Sequence, residues 1–137
     1  MAYGKAIQLR EGKDLAVITI GSIGNPMAEA IEELIAHNEH ISIAHYDLRW
    51  VKPLDDAILH QIGQSHSTIV TAEDGVISGG AGTAVMEWMS EHGYQPRFIR
   101  LGVKDQFVEH GSTKELYNLL KLDTQGLCES LLQALEK

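Results

Sequence analysis

Extended apolar runs and helical stripes alternate along this chain. Residues 14–21 (DLAVITIG) are almost continuously apolar, which is typical of a strand covered on both faces of a sheet. Residues 41–46, 68–72 and 97–101 are predicted as three further strands. KAIQLR, at residues 5–10, is predicted as a short extra strand at an edge.

Helical periodicity fills the intervals between the strands. One helix is expected to begin with Asn25 as N-cap and Pro26 as first helical residue, and the next is opened by Asp55 or Asp56. Residues 83–92 form a third helix, and the capping box Ser112 to Glu115 opens a fourth. A last helix begins near Thr124, and its predicted buried stripe contains Cys128, Leu131, Leu132 and Leu135.

Strands that alternate with helices in this way are joined by crossovers, and crossovers connect parallel neighbours with right-handed geometry. Helices then cover both faces of the sheet. The sequence therefore predicts one domain over residues 1–137, a three-layer α/β/α sandwich with a mostly parallel sheet of about five strands. The first short strand is expected at an edge and antiparallel.

The net charge of −8, without a cluster of Lys and Arg, argues against a nucleic-acid partner, because a phosphate backbone requires a positive face. No apolar stretch is long enough to cross a membrane, and no secretory leader is recognisable at the start. A single cysteine, Cys128, fits a reducing compartment and reads as a small core residue rather than a nucleophile. A cytoplasmic location is expected.

The segment EDGVISGGAG, residues 73–82, resembles a phosphate-binding turn but lacks its details. A dinucleotide-binding turn requires a third glycine where this chain has Val85, and a Walker loop requires a lysine that is absent between Lys52 and Lys104. Glu73 and Asp74 would also repel an anion. Two interpretations remain: the glycines permit tight turns and close backbone approach, or the loop forms a functional surface.

The stretch from Asp105 to Ser112 places His110 near two carboxylates and a serine. Ser112 already serves as a helix cap, and no nucleophile elbow is present, so a contact role for His110 is favoured over catalysis. The histidines do not gather at metal-ligand spacings, and the pairs His37/His40 and His60/His66 are expected on solvated surface. No metal site is predicted.

Several motifs together resemble one family: DLAVITIG, DLRWVKPLD (47–55), the glycine loop, DQFVEHGS (105–112) and LKLDTQGL (120–127). They are similar to the C-terminal domain of the thiamin-diphosphate enzymes related to transketolase. Within that group, the stretches 105–112 and 120–127 are most similar to the 1-deoxy-D-xylulose-5-phosphate synthases. The resemblance covers essentially the whole chain.

The resemblance implies a fragment of a longer homodimeric transferase that condenses pyruvate with glyceraldehyde 3-phosphate and releases carbon dioxide. In such enzymes, thiamin diphosphate and Mg²⁺ are held by preceding domains. Their Gly-Asp-Gly…Asn metal motif is absent from this sequence, in which the most similar segment is Glu73-Asp74-Gly75. We therefore expect no catalytic, cofactor-binding or metal-binding residue in this chain, and no activity by itself. The expected interface residues are Arg49, Glu73, Gly75, Gly79, Gly80, Gly82 and His110.

Two alternatives stay open at this point. The chain could be the matching domain of a 2-oxo-acid dehydrogenase beta subunit, which would dock a lipoyl-carrier core. It could also be a free-standing regulatory module that binds a small anion at the strand ends, although the acidic entrance of the glycine loop opposes this.

Overall fold

The computed structural model describes residues 4–50, 53–73, 80–102 and 124–135. The helix predicted to follow Ser112 lies outside these ranges. The strands are β1 (Ile7–Arg10), β2 (Leu15–Ile20), β3 (Ile43–Asp47), β4 (Thr68–Glu73) and β5 (Arg97–Gly102), and the helices are α1 (Gly24–His37), α2 (Asp56–Ser65), α3 (Ala81–Glu91) and α4 (Thr124–Leu135). From β2 onward the described elements alternate between strand and helix, as the hydrophobic pattern predicts.

The five strands form one sheet in the order β1-β3-β2-β4-β5. β2 pairs in parallel with β3 and β4, and β4 pairs in parallel with β5. β1 pairs antiparallel with β3 at an edge, so the predicted sheet is confirmed in strand number and in the direction of its first strand. A β-bulge between Gln8 and Arg10 interrupts the register of β1.

Two apolar cores lie on opposite faces of the sheet, because successive side chains of a strand point to opposite sides. Leu15 and Val17 of β2 contribute to the core that α1 and α4 cover. Ala16 and Ile18 of the same strand contribute to the core that α2 and α3 cover. This alternation produces the three predicted layers.

Helix α1 begins earlier than the sequence predicted. Its N-cap is Ile23 and its first residue is Gly24, so Asn25 is not the cap and Pro26 is the third helical residue. The position still suits proline, because the first four N–H groups of a helix have no partner within it and proline lacks only that group.

Two predictions about burial were wrong: that His60 and His66 lie on solvated surface, and that Leu132 belongs to the buried stripe of the last helix. His66 is buried at 9% exposure, and its Nε2 donates to the Gly12 carbonyl at 3.0 Å. His60 is half-buried, with its Nδ1 2.9 Å from the Tyr94 hydroxyl, whereas His37 and His40 are exposed as expected. In α4 the buried face carries Leu127, Leu131 and Ala134, and Leu132 is 45% exposed because it lies outside that face.

Asp55 is the N-cap of α2 and also ties the edge strand to the domain. One carboxylate oxygen accepts from the Ile58 backbone N–H at 3.2 Å, and the other accepts from the Ala6 N–H at 2.9 Å. The side chain is 5% exposed. Asp56, the other candidate, is instead the first helical residue, and its carboxylate accepts from the Trp88 indole at 2.7 Å.

Within the described ranges, no helix is both long and apolar enough to cross a membrane.

Asp55→Ala should lower the free energy of unfolding by about 2 kcal/mol, because it removes a helix cap and leaves the Ala6 N–H without its acceptor. Asp55→Asn keeps one side-chain oxygen and should cost about half as much. Urea denaturation monitored by circular dichroism measures both values. Equal losses for the two variants would contradict the double role of the carboxylate.

Candidate functional site

The carboxyl ends of the parallel strands converge at one edge of the sheet. From β2 the chain passes through α1 to β3 on one side, and then through α2 to β4 on the other side. The crossover direction therefore reverses between β2 and β4. In open α/β sheets this reversal leaves a crevice at the carboxyl edge, which is the usual place for a ligand.

The described residues leave little free space in the crevice between β2 and β4. The free space there is about 10 Å³, which accommodates about one water molecule. Most of its walls are apolar, and the only side chains with polar groups are two threonines and one carboxylate. The lining residues are Ile18, Thr19, Ile20, Leu48, Thr71, Ala72, Glu73, Ala81, Gly82 and Val85.

Glu73 ends β4 and reaches the start of α3. Its Oε2 accepts from the Ala81 backbone N–H at 2.6 Å. The amino end of a helix attracts negative charge, and the protein's own carboxylate lies at that position here. A bound phosphate would have to compete with this carboxylate, which adds a structural reason to those that already argued against a phosphate-binding turn.

Gly80 and Gly82 are needed for different structural reasons. Gly80 is the N-cap of α3 with φ 105°, a left-handed conformation that favours glycine, and a Cβ there would meet nothing within 4 Å. Gly82 has no such dihedral angle, but a Cβ on it would lie 2.7 Å from Thr71 Oγ1. The first glycine permits the turn and the second permits α3 to approach β4.

Arg49 lies just beyond the end of β3, at the same edge of the sheet. Its φ is 62°, and it is the one non-glycine residue with positive φ in the described ranges. Its Nε lies 3.5 Å from Asp47 Oδ2 in an ion pair. The arginine side chain is 30% exposed and the aspartate 34%.

The described structure therefore brings four of the predicted interface residues to one edge: Arg49, Glu73, Gly80 and Gly82. Gly75, Gly79 and His110 lie outside the described residues. The interface role of all seven stays a prediction. Gly82 is buried against Thr71, so this glycine has a requirement inside the domain whether or not it also contacts a partner.

A buried polar pair that was not predicted from the sequence lies on the α1 side of the sheet. His45, on β3, is 2% exposed, and its Nε2 is 2.9 Å from the hydroxyl of Thr19 on β2. Burial lowers the pKa of His45 to about 4, while Asp47 raises it and Arg10 lowers it further. The signal was present in the sequence, because His45 shares strand parity with Ile43 and so points into the α1 core.

Metal-binding and thiol chemistry find little support in the described ranges. No group of three or more His, Cys, Asp or Glu side chains there could hold a metal ion. Cys128 is half-buried between α1 and α4, with its Sγ 3.5 Å from the Ala30 carbonyl oxygen. Burial raises the pKa of its thiol, with the Glu33 carboxylate adding to the effect, so the protonated form is favoured.

The chain is similar to known proteins of one family. Residues 4–127 match the family described as "Transketolase, C-terminal domain". The chain is 52% identical over 124 residues to 1-deoxy-D-xylulose-5-phosphate synthase of Bacteroides fragilis, covering 90% of this chain and 19% of that protein. It is 49% identical over 131 residues to the protein of the same name from Parabacteroides distasonis, covering 96% and 20%.

Two solved structures are similar in fold. One, described as "Split gene transketolase, inactive beta4 tetramer", has a TM-score of 0.84 and 31% identity over 98% of this chain and 43% of that chain. Transketolase from Campylobacter jejuni has a TM-score of 0.66 at 14% identity, which concerns the fold alone.

The chain belongs to the transketolase C-terminal domain family. Its relatives include the 1-deoxy-D-xylulose-5-phosphate synthases, which confirms the resemblance drawn from the motifs. The chain spans about a fifth of the length of these curated relatives.

Gly82→Ala should lower the free energy of unfolding by about 1–3 kcal/mol, because the added methyl group overlaps Thr71 Oγ1. Thr71→Ala removes that oxygen, so the double variant Gly82→Ala/Thr71→Ala should recover part of the loss. Denaturant unfolding of all four proteins forms a double-mutant cycle. Strictly additive losses would contradict close packing at this contact.

The stability of the domain should depend on pH through His45. Above pH 6.5 the residue is neutral in both states, so its contribution is fully present. As the pH falls from 6.5 to about 4, only the unfolded state takes up the proton, and about 3 kcal/mol is lost.

His45→Gln should flatten the unfolding free energy over this interval, because it removes the group whose pKa burial lowers. Urea titrations of the parent and of this variant at several pH values test the difference. Identical pH profiles for the parent and His45→Gln would rule out this role.

Proposed function

We propose that this chain is the C-terminal domain of a 1-deoxy-D-xylulose-5-phosphate synthase, and that it packs on the preceding domains and contributes to a homodimer. The observation that carries the proposal is the 49–52% identity to proteins of that name over at least nine-tenths of this chain. The chain covers only about a fifth of those proteins, so the reactive machinery would lie in the remainder. A cytoplasmic location is part of the proposal.

The longer protein would join pyruvate to glyceraldehyde 3-phosphate with loss of carbon dioxide. Thiamin diphosphate, held with Mg²⁺, would supply the carbanion for that chemistry. The described residues of this chain do not fit the cofactor. Their crevice at the carboxyl edge has room for about one water molecule, and Glu73 occupies the amino end of α3. No reaction step is therefore assigned to these residues.

The contribution of this domain would be a docking surface at the carboxyl edge. A nearly filled crevice suits contact with another protein surface better than it suits a small ligand. The same feature weighs against the free-standing anion-binding module. The names of the relatives favour the synthase over a 2-oxo-acid dehydrogenase beta subunit.

A domain exchange tests the proposal directly. When this chain replaces the equivalent domain of the Bacteroides fragilis protein, the chimera should retain pyruvate- and glyceraldehyde-3-phosphate-dependent product formation within about tenfold of the parent, a change of about 1.4 kcal/mol. The matching domain from Campylobacter jejuni transketolase serves as the control and should not support activity.

Isothermal titration of the isolated chain with thiamin diphosphate and Mg²⁺ should give no binding. A folded chimera without activity, or micromolar cofactor binding by the chain itself, would overturn the proposal.

A further inference from the structure

The backbone at Arg49 adopts a strained turn. Trp50 N–H donates to the Leu48 carbonyl at 2.6 Å, which closes a ring of three residues with Arg49 at its centre. With φ at 62°, this is the γ-turn form that is rare and strained for residues with a side chain. The four other described residues with positive φ are all glycine. Glycine would adopt this turn without the same cost, so the presence of arginine requires another reason.

The turn is bonded to the sheet through Leu48, and the side chain of Arg49 contacts Asp47. Leu48 is 1% exposed, and its N–H donates to the Thr19 carbonyl at 2.8 Å, at the end of β2. Arg49 Nε makes a long contact of 3.5 Å with Asp47 Oδ2, which orients the guanidinium more than it binds it. The position of the turn and the direction of the side chain are therefore both restricted.

The two terminal nitrogens of Arg49 make no hydrogen bond to any residue that the structure describes. A planar guanidinium with its Nε held and its fork open matches the two oxygens of a carboxylate or phosphate. Because the contact with Asp47 already limits the orientations of the arginine, less conformational entropy is lost when it binds such a group.

The surrounding charge favours a carboxylate fixed on a protein over a free anion. The chain has a net charge of −8, and Glu73 lies at the same edge. A small anion would have to overcome this repulsion with one cation, whereas a carboxylate on a protein surface also benefits from the surface buried around it. The chain spans about a fifth of its relatives, so most of such a protein lies outside it.

We propose that the turn Leu48–Trp50 is a strained element that presents the guanidinium fork of Arg49 to a carboxylate on the protein surface that docks at the carboxyl edge of the sheet. This inference rests on the proposed function, since it takes the docking surface to be the remainder of a longer synthase. Arg49 positions that contact and takes no part in the chemistry.

The strain is tested in the 137-residue chain. Arg49→Gly removes the side chain and suits the positive φ, so its melting temperature should equal or exceed that of the parent by up to about 4 °C. Arg100→Gly is the matched control, because Arg100 lies in β5 and glycine weakens a strand interior, so its melting temperature should fall. A clear loss of stability with Arg49→Gly would mean that Arg49 serves the domain's own folding, and the inference would fail.

The contact is tested in the chimera with the Bacteroides fragilis protein. Arg49→Gly and Arg49→Lys should each weaken its assembly about tenfold or more, measured as the midpoint of dimer dissociation on dilution, because neither keeps the fork. If the parent chimera assembles and both variants assemble equally well, the inference is wrong while the proposed function stands. If the parent chimera does not assemble, the proposed function itself fails.

Addition of inorganic phosphate tests whether Arg49 binds a free anion instead of a carboxylate on a protein. The melting temperature of the isolated chain should not rise with phosphate beyond the rise seen for Arg49→Gly. A rise that depends on Arg49 would assign the fork to a free anion and would overturn the carboxylate assignment.

Discussion

Both faces of β2 are removed from water, because alternate residues of this strand contact the two opposite helix layers. β2 lies between β3 and β4 and forms its backbone hydrogen bonds with these two strands. Because both faces of β2 are apolar, a crossover helix must cover each face of the sheet. α1 covers one face and α2 the other, and the reversal between them fixes the crevice at the carboxyl edge. The location of the candidate site therefore follows from the burial of one strand.

At that edge, Glu73 and Gly82 make contacts within the domain. Glu73 accepts a hydrogen bond from the start of α3, and Gly82 packs on Thr71. The guanidinium of Arg49 differs, because its backbone is strained and an acidic neighbour contacts its Nε, while its terminal nitrogens make no hydrogen bond to any described residue. A crevice with little free space, together with one oriented cation, suits recognition of a protein surface.

Periodicity in the sequence was sufficient for the described elements and the layers, because the apolar run of β2 and the helical stripes are strong and local. It could not choose between Asp55 and Asp56 as the cap of α2, since both residue types suit that position and tertiary contacts decide. The burial of His66 depends on Gly12, which is 54 residues away, so local pattern could not show it. The turn at Arg49 gave no signal either, because a positive φ is anticipated at glycine and the segment Leu48–Trp50 contains none.

The bulge in β1 has a consequence for how this sheet meets other chains. β1 is a short edge strand that exposes Ile7 and Leu9, and an uninterrupted edge of this kind can act as a template for intermolecular strand addition. The bulge between Gln8 and Arg10 breaks the regular spacing of backbone donors and acceptors, so an incoming strand would not find a continuous row of partners. The edge is thereby less able to add a strand from another chain, even though Ile7 and Leu9 are apolar and exposed.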